Sequence, residues 1–596
     1  MRDGTRIAID VCLPRGISHD KVPTIVRQTR YFRRFDVPPV LSAVLDQATL
    51  DPMNAPMRTL FTSRGYAWVD VDARGSGASF GERPCPWWLE GEVKDGAEIV
   101  DWIVRQPWSN GRVGSTGVSY DGTTAEFLAI TGHPAVKAIA PRFALFDVYA
   151  DVAFLGGLHN AWFTHAWESA NAALDRNVPG EMIATVYMLQ AHGMLDPRIA
   201  LRLDRPAVRA LLSRFFTRAL SGVAPVDGGR AELVEALRTH AENYNVHDGA
   251  VDVVFRDDSP KNSPLPGSTS DDFSPHRYVD RLGDVAVLGY GGFFDGAYGR
   301  ALVERHRAHT DAGKDSSMLL GPWIHGGQLD LDPDAPGRRT VFDHSAELLR
   351  FFDRHLATDV PRTDAPPRVR YYMMGEGRWR SATEWPPQGT RAVGLSFRTD
   401  GRLTSTPQTA PVTATLATDV GAGKRSRHRT LLCPFLVADG RGRSPVGYAV
   451  FETAPLEADV EVVGNPVLAL TADSNVSDHA LVAYLEDVDR HGNARVITEG
   501  ALRTLHRTEL VAQGDAPPRV RATYLRADAQ TAPASHALEL LPVAMRLRRG
   551  HRLRLVLGAA DVDHFTTPKG PSTITLRIDA EKTRLWLPVL GPGSVT

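Results

Sequence analysis

One serine in this sequence has the setting that a catalytic nucleophile requires. Ser119 lies in the segment GVSYDG at 117–122, between a predicted strand and a predicted helix. Small residues around a nucleophile allow the sharp strand-to-helix turn that lifts its hydroxyl above the edge of a sheet. The pattern is G-x-S-x-x-G, because Asp121 stands where the usual G-x-S-x-G motif has its second glycine. The segment predicts a nucleophile elbow at Ser119; a glycine- and serine-rich turn without chemistry is the alternative.

A serine hydroxyl needs a histidine base and an orienting carboxylate before it can attack a carbonyl near neutral pH. Asp295 follows a predicted strand at 285–290, and His325 follows a predicted strand at 318–320. The order serine, acid, histidine, each after a later strand, resembles that of α/β-hydrolase folds. We therefore predict Asp295 as the acid and His325 as the base. A surface carboxylate and a core or loop histidine are the alternatives.

The elements around these residues divide the chain into successive stretches. Residues 1–145 alternate strands with helices, which predicts a parallel, doubly wound sheet, and the same pattern returns at 276–365. Between them, residues 146–275 carry amphipathic helical patterns and predict a helical cap inserted over the carboxyl edge of the sheet. From 366 to 596, short strand-like runs alternate with turn residues, which indicates an all-β sandwich.

Composition and charge limit the partners that this chain is expected to have. It has 596 residues and a formal net charge of −2, so neither nucleic acid nor an anionic membrane is an expected partner. Cys12, Cys85 and Cys433 are scattered, and their spacing predicts neither a disulfide framework nor a metal site. A signal-peptide h-region and a membrane-spanning apolar run are both missing, which predicts a soluble, cytoplasmic protein. No cofactor is expected.

Taken together, these segments resemble the cocaine esterase/NonD (CocE/NonD) family of serine hydrolases, relatives of the X-Pro dipeptidyl-peptidases and the α-amino acid ester hydrolases. The resemblance covers nearly the whole chain. It includes the opening segment at 1–8, a second signature at 64–79, and the acid and histidine segments at 292–296 and 321–325. The elbow of this family, G-x-S-Y-x-G, fits 117–122 as it stands. The resemblance implies an α/β-hydrolase core, a helical cap and a C-terminal jelly-roll sandwich.

The family pattern also implies roles for particular side chains. The serine, aspartate and histidine named above would form a catalytic triad. The oxyanion hole would combine the backbone amide of Tyr120 with the hydroxyl of Tyr31, which follows an early strand. The family often has proline just before this tyrosine, whereas this chain has Arg30.

Substrate identity is left open by these motifs. Trp87 and Trp88 follow the second signature and are predicted to line a substrate pocket, although packing is an equally good interpretation. An X-Pro dipeptidyl-peptidase-type enzyme would need an anionic site for the substrate's α-ammonium group. Asp147 and Asp151, near the start of the cap, could provide that site, but a helix face turned to water explains them more simply.

The predicted function is hydrolysis of an ester or amide of a small molecule through an acyl-enzyme on Ser119. The alternatives are an X-Pro dipeptidyl-peptidase-type aminopeptidase, an acyltransferase, and a binding protein whose triad is idle. The ordered serine, aspartate and histidine argue against the idle protein, because such a protein needs none of the three. A homo-oligomer is compatible with the sequence.

Overall fold

A computed structural model of the protein describes most of the chain, including every predicted site residue. The described residues are 1–16, 21–42, 45–184, 206–227, 229–332, 338–357, 367–406, 412–417, 448–473, 476–530, 535–562, 564–568, 573–578, 583–593 and 595. Cys433 lies outside them.

The N-terminal part of the chain forms a mixed sheet of nine strands. Nine strands of this part belong to the sheet, and β8 and β9 pair separately with each other. In chain order, the strands are β1 Ile9–Cys12, β2 Val22–Thr29, β3 Ala67–Asp72, β4 Ser109–Val118, β5 Val136–Arg142, β6 Ala286–Gly292, β7 Ser316–Gly321, β8 Leu329–Asp330, β9 Arg338–Arg339, β10 Val369–Met373 and β11 Arg378–Ala382. The spatial order is β1-β3-β2-β4-β5-β6-β7-β10-β11, and all pairings from β3 to β10 are parallel. Strands β1 and β11 pair antiparallel at the two edges. The predicted doubly wound sheet is confirmed.

Helices cover both faces of this sheet. In chain order, the α-helices are α1 Gln47–Leu50, α2 Ala55–Ser63, α3 Lys94–Val104, α4 Tyr120–Ile130, α5 Ala161–Asp175, α6 Pro206–Ala219, α7 Gly229–Thr239, α8 Val246–Ala250, α9 Tyr298–Asp311 and α10 His344–Leu356. Along β3 the side chains alternate between faces: Trp68 packs with Phe61 of α2 and Phe352 of α10. Val69 belongs to the opposite apolar cluster, with Val100 of α3. Among these helices, none is both long and apolar enough to cross a membrane.

Between β5 and β6, the part of the chain that the structure describes contains the helices of the cap. Helices α5 to α8 lie in it, as predicted for residues 146–275. Helix α5 begins after Asn160, whose side chain accepts a hydrogen bond from the amide of Phe163. Trp167 of α5 contacts Tyr31, two residues beyond the end of β2, so the cap reaches the carboxyl edge of the sheet.

After β11 the chain forms antiparallel strands that pack as a β-sandwich. These strands are β12 Thr390–Phe397, β13 Leu403–Thr404, β14 Val412–Ala417, β15 Tyr448–Glu452, β16 Val460–Gly464, β17 Val467–Asp473, β18 Ala480–Val488, β19 Ala494–Arg503, β20 Arg507–Gln513, β21 Ala516–Thr523, β22 Ser535–Glu539, β23 Val543–Leu547, β24 Arg552–Gly558, β25 Thr573–Ile578 and β26 Arg584–Leu590. One sheet contains β13-β12-β26-β17-β25-β14 with β16, β22 and β23, and another contains β15-β24-β18-β19. Leu587 of the first and Leu555 of the second share one buried apolar cluster. The predicted all-β sandwich is confirmed.

The predicted start of the sandwich at residue 366 is wrong, because β10 is not a strand of the sandwich. It pairs in parallel with β7, with Val369 opposite Met318 and Tyr371 opposite Leu320, and β11 continues the same sheet to Ala382. Helix α10 lies between β7 and β10, which is the kind of connection that a parallel neighbour needs. The alternating apolar pattern of β10 fits either sheet, so the sequence did not reveal its partner.

Candidate active site

Ser119 stands in the sharp turn between β4 and α4. Its backbone has φ 63° and ψ −123°, a combination that residues other than glycine avoid for steric reasons. The turn is tight, because a Cβ at Gly117 would lie 2.2 Å from the Cβ of Asp121. A Cβ at Gly122 would lie 2.8 Å from the carbonyl oxygen of Arg142, which also accepts the amide of Ser119 at 3.0 Å. Both small residues are therefore required for the serine to hold this position.

Asp295 and His325 follow β6 and β7 and contact each other. Nδ1 of His325 lies 3.0 Å from both carboxylate oxygens of Asp295. The Asp295 side chain is fully buried, whereas 15% of the His325 side chain is exposed. Burial raises the pKa of Asp295 to about 6, although the neighbouring His325 opposes the rise. Because Nδ1 faces the carboxylate, Nε2 is the ring nitrogen left to exchange a proton with a hydroxyl.

Tyr31 lies beside Tyr120, with the two rings edge-on and their centroids 6.1 Å apart. The Tyr31 oxygen accepts the indole N–H of Trp167 at 3.0 Å, so its own proton remains available for another acceptor. Burial raises the pKa of Tyr31 to about 12, although the Trp167 hydrogen bond opposes the rise. The hydroxyl therefore keeps its proton at neutral pH and can act as a donor.

Tyr120 opens helix α4, where the first backbone amides have no acceptor within the helix. Its side chain is held on three sides. The ring stacks on Trp87 at 4.9 Å and on Trp167 at 6.4 Å, and the hydroxyl donates to both oxygens of Glu92 at 2.6 Å. Burial raises the pKa of Glu92 to about 7, although the hydrogen bond from Tyr120 opposes the rise. Trp167 thus contacts both residues of the predicted oxyanion hole.

Trp87 and Trp88, the predicted pocket wall, make packing contacts. Trp87 is 4% exposed and stacks on Tyr120 and on Phe127, so it supports the elbow from behind. Trp88 is half-buried, and its ring covers Gly91, where a Cβ would come within 2.2 Å of it. A substrate contact by either tryptophan stays a prediction.

The two cap aspartates both carry arginine partners. Asp151 is buried, accepts the backbone amides of Phe146 and Asp147, and pairs with Arg300 at 2.9 Å. Asp147 pairs with Arg256 at 2.5 Å. The interpretation of Asp151 as part of a helix face turned to water is wrong. Arg300, 149 residues away in sequence, compensates a buried charge that the local sequence does not reveal.

Among the described residues, one group of side chains has the donors for a metal ion: Asp147, Asp271 and His276. The guanidinium of Arg256 already lies among them. Its Nη1 is 3.1 Å from Asp147, 2.6 Å from Asp271 and 3.3 Å from Nε2 of His276. This group is therefore an ion-pair cluster centred on an arginine.

The sequence analysis missed two residues of this site, Trp167 and Tyr298. Trp167 lies 136 residues after Tyr31, in the cap, and no motif connects the two. The ring of Tyr298 packs on His325 with centroids 4.8 Å apart. Its position three residues after Asp295 was the signal that could have found it.

Comparison with known proteins places this chain in a family. Residues 3–203 match the X-Pro dipeptidyl-peptidase (S15) family, and residues 361–585 match the X-Pro dipeptidyl-peptidase C-terminal non-catalytic domain. A Mycobacterium tuberculosis protein named as a serine esterase is 38% identical over 99% of this chain and 94% of its own length. The cocaine esterase of a Rhodococcus species is 27% identical over 86% of this chain and 83% of its own. The chain belongs to the CocE/NonD family of serine hydrolases.

Solved structures related to the CocE/NonD family have the same fold. A CocE/NonD family hydrolase from Staphylococcus aureus, 18% identical, aligns over 99% of this chain and 92% of its own with a TM-score of 0.68. An α-amino acid ester hydrolase, also 18% identical, aligns over 99% of this chain and 95% of its own with a TM-score of 0.63. The resemblance inferred from the sequence is confirmed, as is the fold class of an α/β core with a C-terminal β-sandwich. Membership of this family makes the chain a hydrolase.

Proposed function

We propose that this CocE/NonD hydrolase cleaves carboxylic esters or amides of small molecules through an acyl-enzyme on Ser119, with His325 as base and Asp295 as its partner. The observation that carries the proposal is the contact of buried Asp295 with His325 at 3.0 Å, at the same edge of the sheet as a serine in a strained strand-to-helix turn. A serine attacks readily only when such a base accepts its proton.

The proposed reaction has two halves. In acylation, Oγ of Ser119 attacks the acyl carbonyl carbon while Nε2 of His325 takes the hydroxyl proton, and the charge of Asp295 stabilises the imidazolium. The imidazolium then protonates the leaving alcohol or amine as its bond to the acyl carbon breaks. In deacylation, His325 takes a proton from water, the resulting hydroxide attacks the ester, and Oγ leaves and regains a proton.

The proposed oxyanion donors are the hydroxyl of Tyr31 and the amide of Tyr120. The 3.0 Å hydrogen bond from Trp167 supports the first assignment, because it occupies the Tyr31 oxygen as an acceptor and leaves the proton to point elsewhere. The position of Tyr120 at the amino end of α4 supports the second, because helix amides and the helix dipole both favour negative charge there.

The cap favours ester or amide hydrolysis over an aminopeptidase activity. An α-ammonium group needs a carboxylate, and the two candidates, Asp147 and Asp151, are paired with Arg256 and Arg300. A substrate amine would have to displace a guanidinium that is already within ion-pair distance.

The test is p-nitrophenol release from short acyl esters by the wild type, Ser119→Ala and Ser115→Ala. Ser115 is the matched control, because it lies in the same strand and its hydroxyl donates to the carbonyl of Val26 at 2.8 Å. We expect Ser119→Ala to lose at least about 10⁴-fold in turnover and Ser115→Ala to keep most of it. Equal activity of Ser119→Ala and wild type would contradict the proposal.

Two parallel measurements address the alternatives. Faster turnover of an X-Pro-p-nitroanilide than of the esters would favour the aminopeptidase. Amide or ester products formed when an amine or alcohol is added would favour acyl transfer, because the acyl-enzyme then reacts with that nucleophile instead of water.

A further inference from the structure

A cavity of about 330 Å³ lies where the core, the cap and the sandwich meet. Helix α9 contributes Arg300 to its walls, the cap contributes Arg256, and the β20–β21 hairpin of the sandwich contributes Arg519 and Arg521. No member of the proposed triad is among the described residues that line it, so the cavity is separate from the candidate active site. Its volume is in the range of small-molecule sites.

Three of these arginines have N–H groups that no described residue accepts. Arg300 uses only Nη1 in its hydrogen bonds, one of which goes to Asp151 at 2.9 Å. Arg519 uses only Nη2, in a contact with Glu304 at 3.3 Å. Arg521 is exposed, and its side chain has no hydrogen-bond or ion-pair partner among the described residues. The Nε groups and a second Nη of Arg300 and Arg519 are therefore open to a ligand.

The acidic side chains that line the cavity offer few free acceptors. Both oxygens of Asp147 already accept from Arg256, at 3.1 and 2.5 Å. Oε2 of Glu539 accepts the backbone amide of Val520 at 3.2 Å. Burial, followed by repulsion from Glu304, raises the pKa of Glu539. A carboxyl group that takes up a proton in this way becomes a hydrogen-bond donor.

Tyr524 adds a hydroxyl to the wall of the cavity. Its ring lies 5.2 Å from that of Tyr149, and the guanidinium of Arg256 lies 5.5 Å from its centroid. The Tyr524 hydroxyl makes no hydrogen bond with a described residue, and burial raises its pKa, so it keeps its proton at neutral pH. Donors thus outnumber acceptors in the cavity, and guanidinium groups bind carboxylate and phosphate oxygens in paired hydrogen bonds.

We propose that this cavity binds a small anionic molecule through its carboxylate or phosphate oxygens, held by Arg300, Arg519 and Arg521. Tyr524 donates a further hydrogen bond to the same group of oxygens. Leu502, which also lines the cavity, contacts the carbon skeleton of the ligand. This binding site lies beyond the proposed catalytic function and does not depend on it.

The test is isothermal titration calorimetry of the full chain with citrate, near neutral pH and at constant ionic strength, because salt screens nonspecific attraction. We expect saturable binding at one site. Glucose, a neutral molecule of similar size, should give no saturable signal. Titrations with inorganic phosphate and with succinate then show which of the two kinds of oxygen the site prefers.

Arg519→Gln and Tyr524→Phe each remove donors from the cavity and keep most of the side chain. Each should weaken citrate binding about 10-fold, as for loss of a hydrogen bond to a charged group. The matched control is Arg507→Gln, which removes the same charge from the same hairpin. Arg507 is an exposed arginine that donates to Glu509 at 2.7 Å and does not line the cavity. It should bind citrate within about twofold of the wild type.

The inference is overturned if none of citrate, phosphate and succinate binds saturably, or if glucose binds as tightly as citrate. Equal affinities of Arg519→Gln and Arg507→Gln would also overturn it, because an anion bound in the active site or on the surface would not distinguish the two. Melting temperatures show whether the variants fold, and Arg521→Gln, at an exposed position, replaces Arg519→Gln if that variant does not. Failure of the proposed function is a separate result, since these titrations contain no ester substrate.

Discussion

Replacing Trp167 by phenylalanine tests whether the cap orients the proposed oxyanion donor. The substitution removes the indole N–H that donates to Tyr31 at 3.0 Å, but it keeps an aromatic ring beside Tyr120 and under Arg30, whose guanidinium lies 5.3 Å from the Trp167 ring. Without that donor, the Tyr31 oxygen no longer has a fixed partner. The hydroxyl proton then spends less time directed at the substrate oxygen, so kcat/KM should fall.

The size of the effect follows from the kind of hydrogen bond that is lost. A neutral hydrogen bond contributes about 1 kcal/mol net, which corresponds to about fivefold in rate. Removing the Tyr31 hydroxyl itself should cost about 10²- to 10³-fold, because that donor acts directly on the developing charge. Trp167→Phe should therefore lower kcat/KM much less than Tyr31→Phe does.

A double-mutant cycle with p-nitrophenyl butyrate measures this coupling. If Trp167 acts through Tyr31, adding Trp167→Phe to Tyr31→Phe should change kcat/KM by less than about twofold, so that the two losses are not additive. The same fivefold loss in both backgrounds would refute the reasoning. It would indicate that Trp167 acts on Tyr120 or on the substrate instead.

Two other substitutions have outcomes that the structure defines. Asp295→Asn should lower kcat by about 10³- to 10⁴-fold, because an amide does not hold His325 in the tautomer with its proton on Nδ1. The pKa of Asp295 is raised from 3.8 to about 6 in the folded protein, so ionisation of this carboxyl group opposes folding. The stability that the protonated carboxyl group contributes is therefore present below pH 3.8 and lost as the pH rises through about 6. Asp295→Asn should therefore raise the melting temperature at pH 8 but not at pH 3.5, and a decrease at pH 8 would count against this sign. The wild-type kcat/KM should also fall as the pH drops below about 6, where Asp295 takes up a proton. Phe352→Ala removes a fully buried ring of α10 and should cost about 3–5 kcal/mol, seen as a lower melting temperature, whereas Phe215→Ala, at 53% exposure, should have little effect. Equal shifts for the two phenylalanines would contradict the packing described for α10.

Local sequence was sufficient to predict the elements that carry the proposed catalytic residues. The turn at Ser119 depends on glycines within three residues on either side, and their steric effect is a property of the contiguous chain. The strands before Asp295 and His325 could be recognised in the same way. Because parallel strands end at the same edge of a sheet, their order alone predicted that the side chains would meet there.

Contacts between distant segments were decided only by the tertiary structure. The indole of Trp167 reaches Tyr31 across 136 residues, and Arg300 compensates Asp151 across 149. Only the tertiary structure shows that β10 pairs with β7. It also shows that Phe215, an apolar residue of an amphipathic helix, is exposed. A periodic pattern reports which face of an element is apolar, but not which element covers it. The element that covers a face decides whether a charge is buried and which acceptor an N–H meets. Neither property produces a pattern in the local sequence.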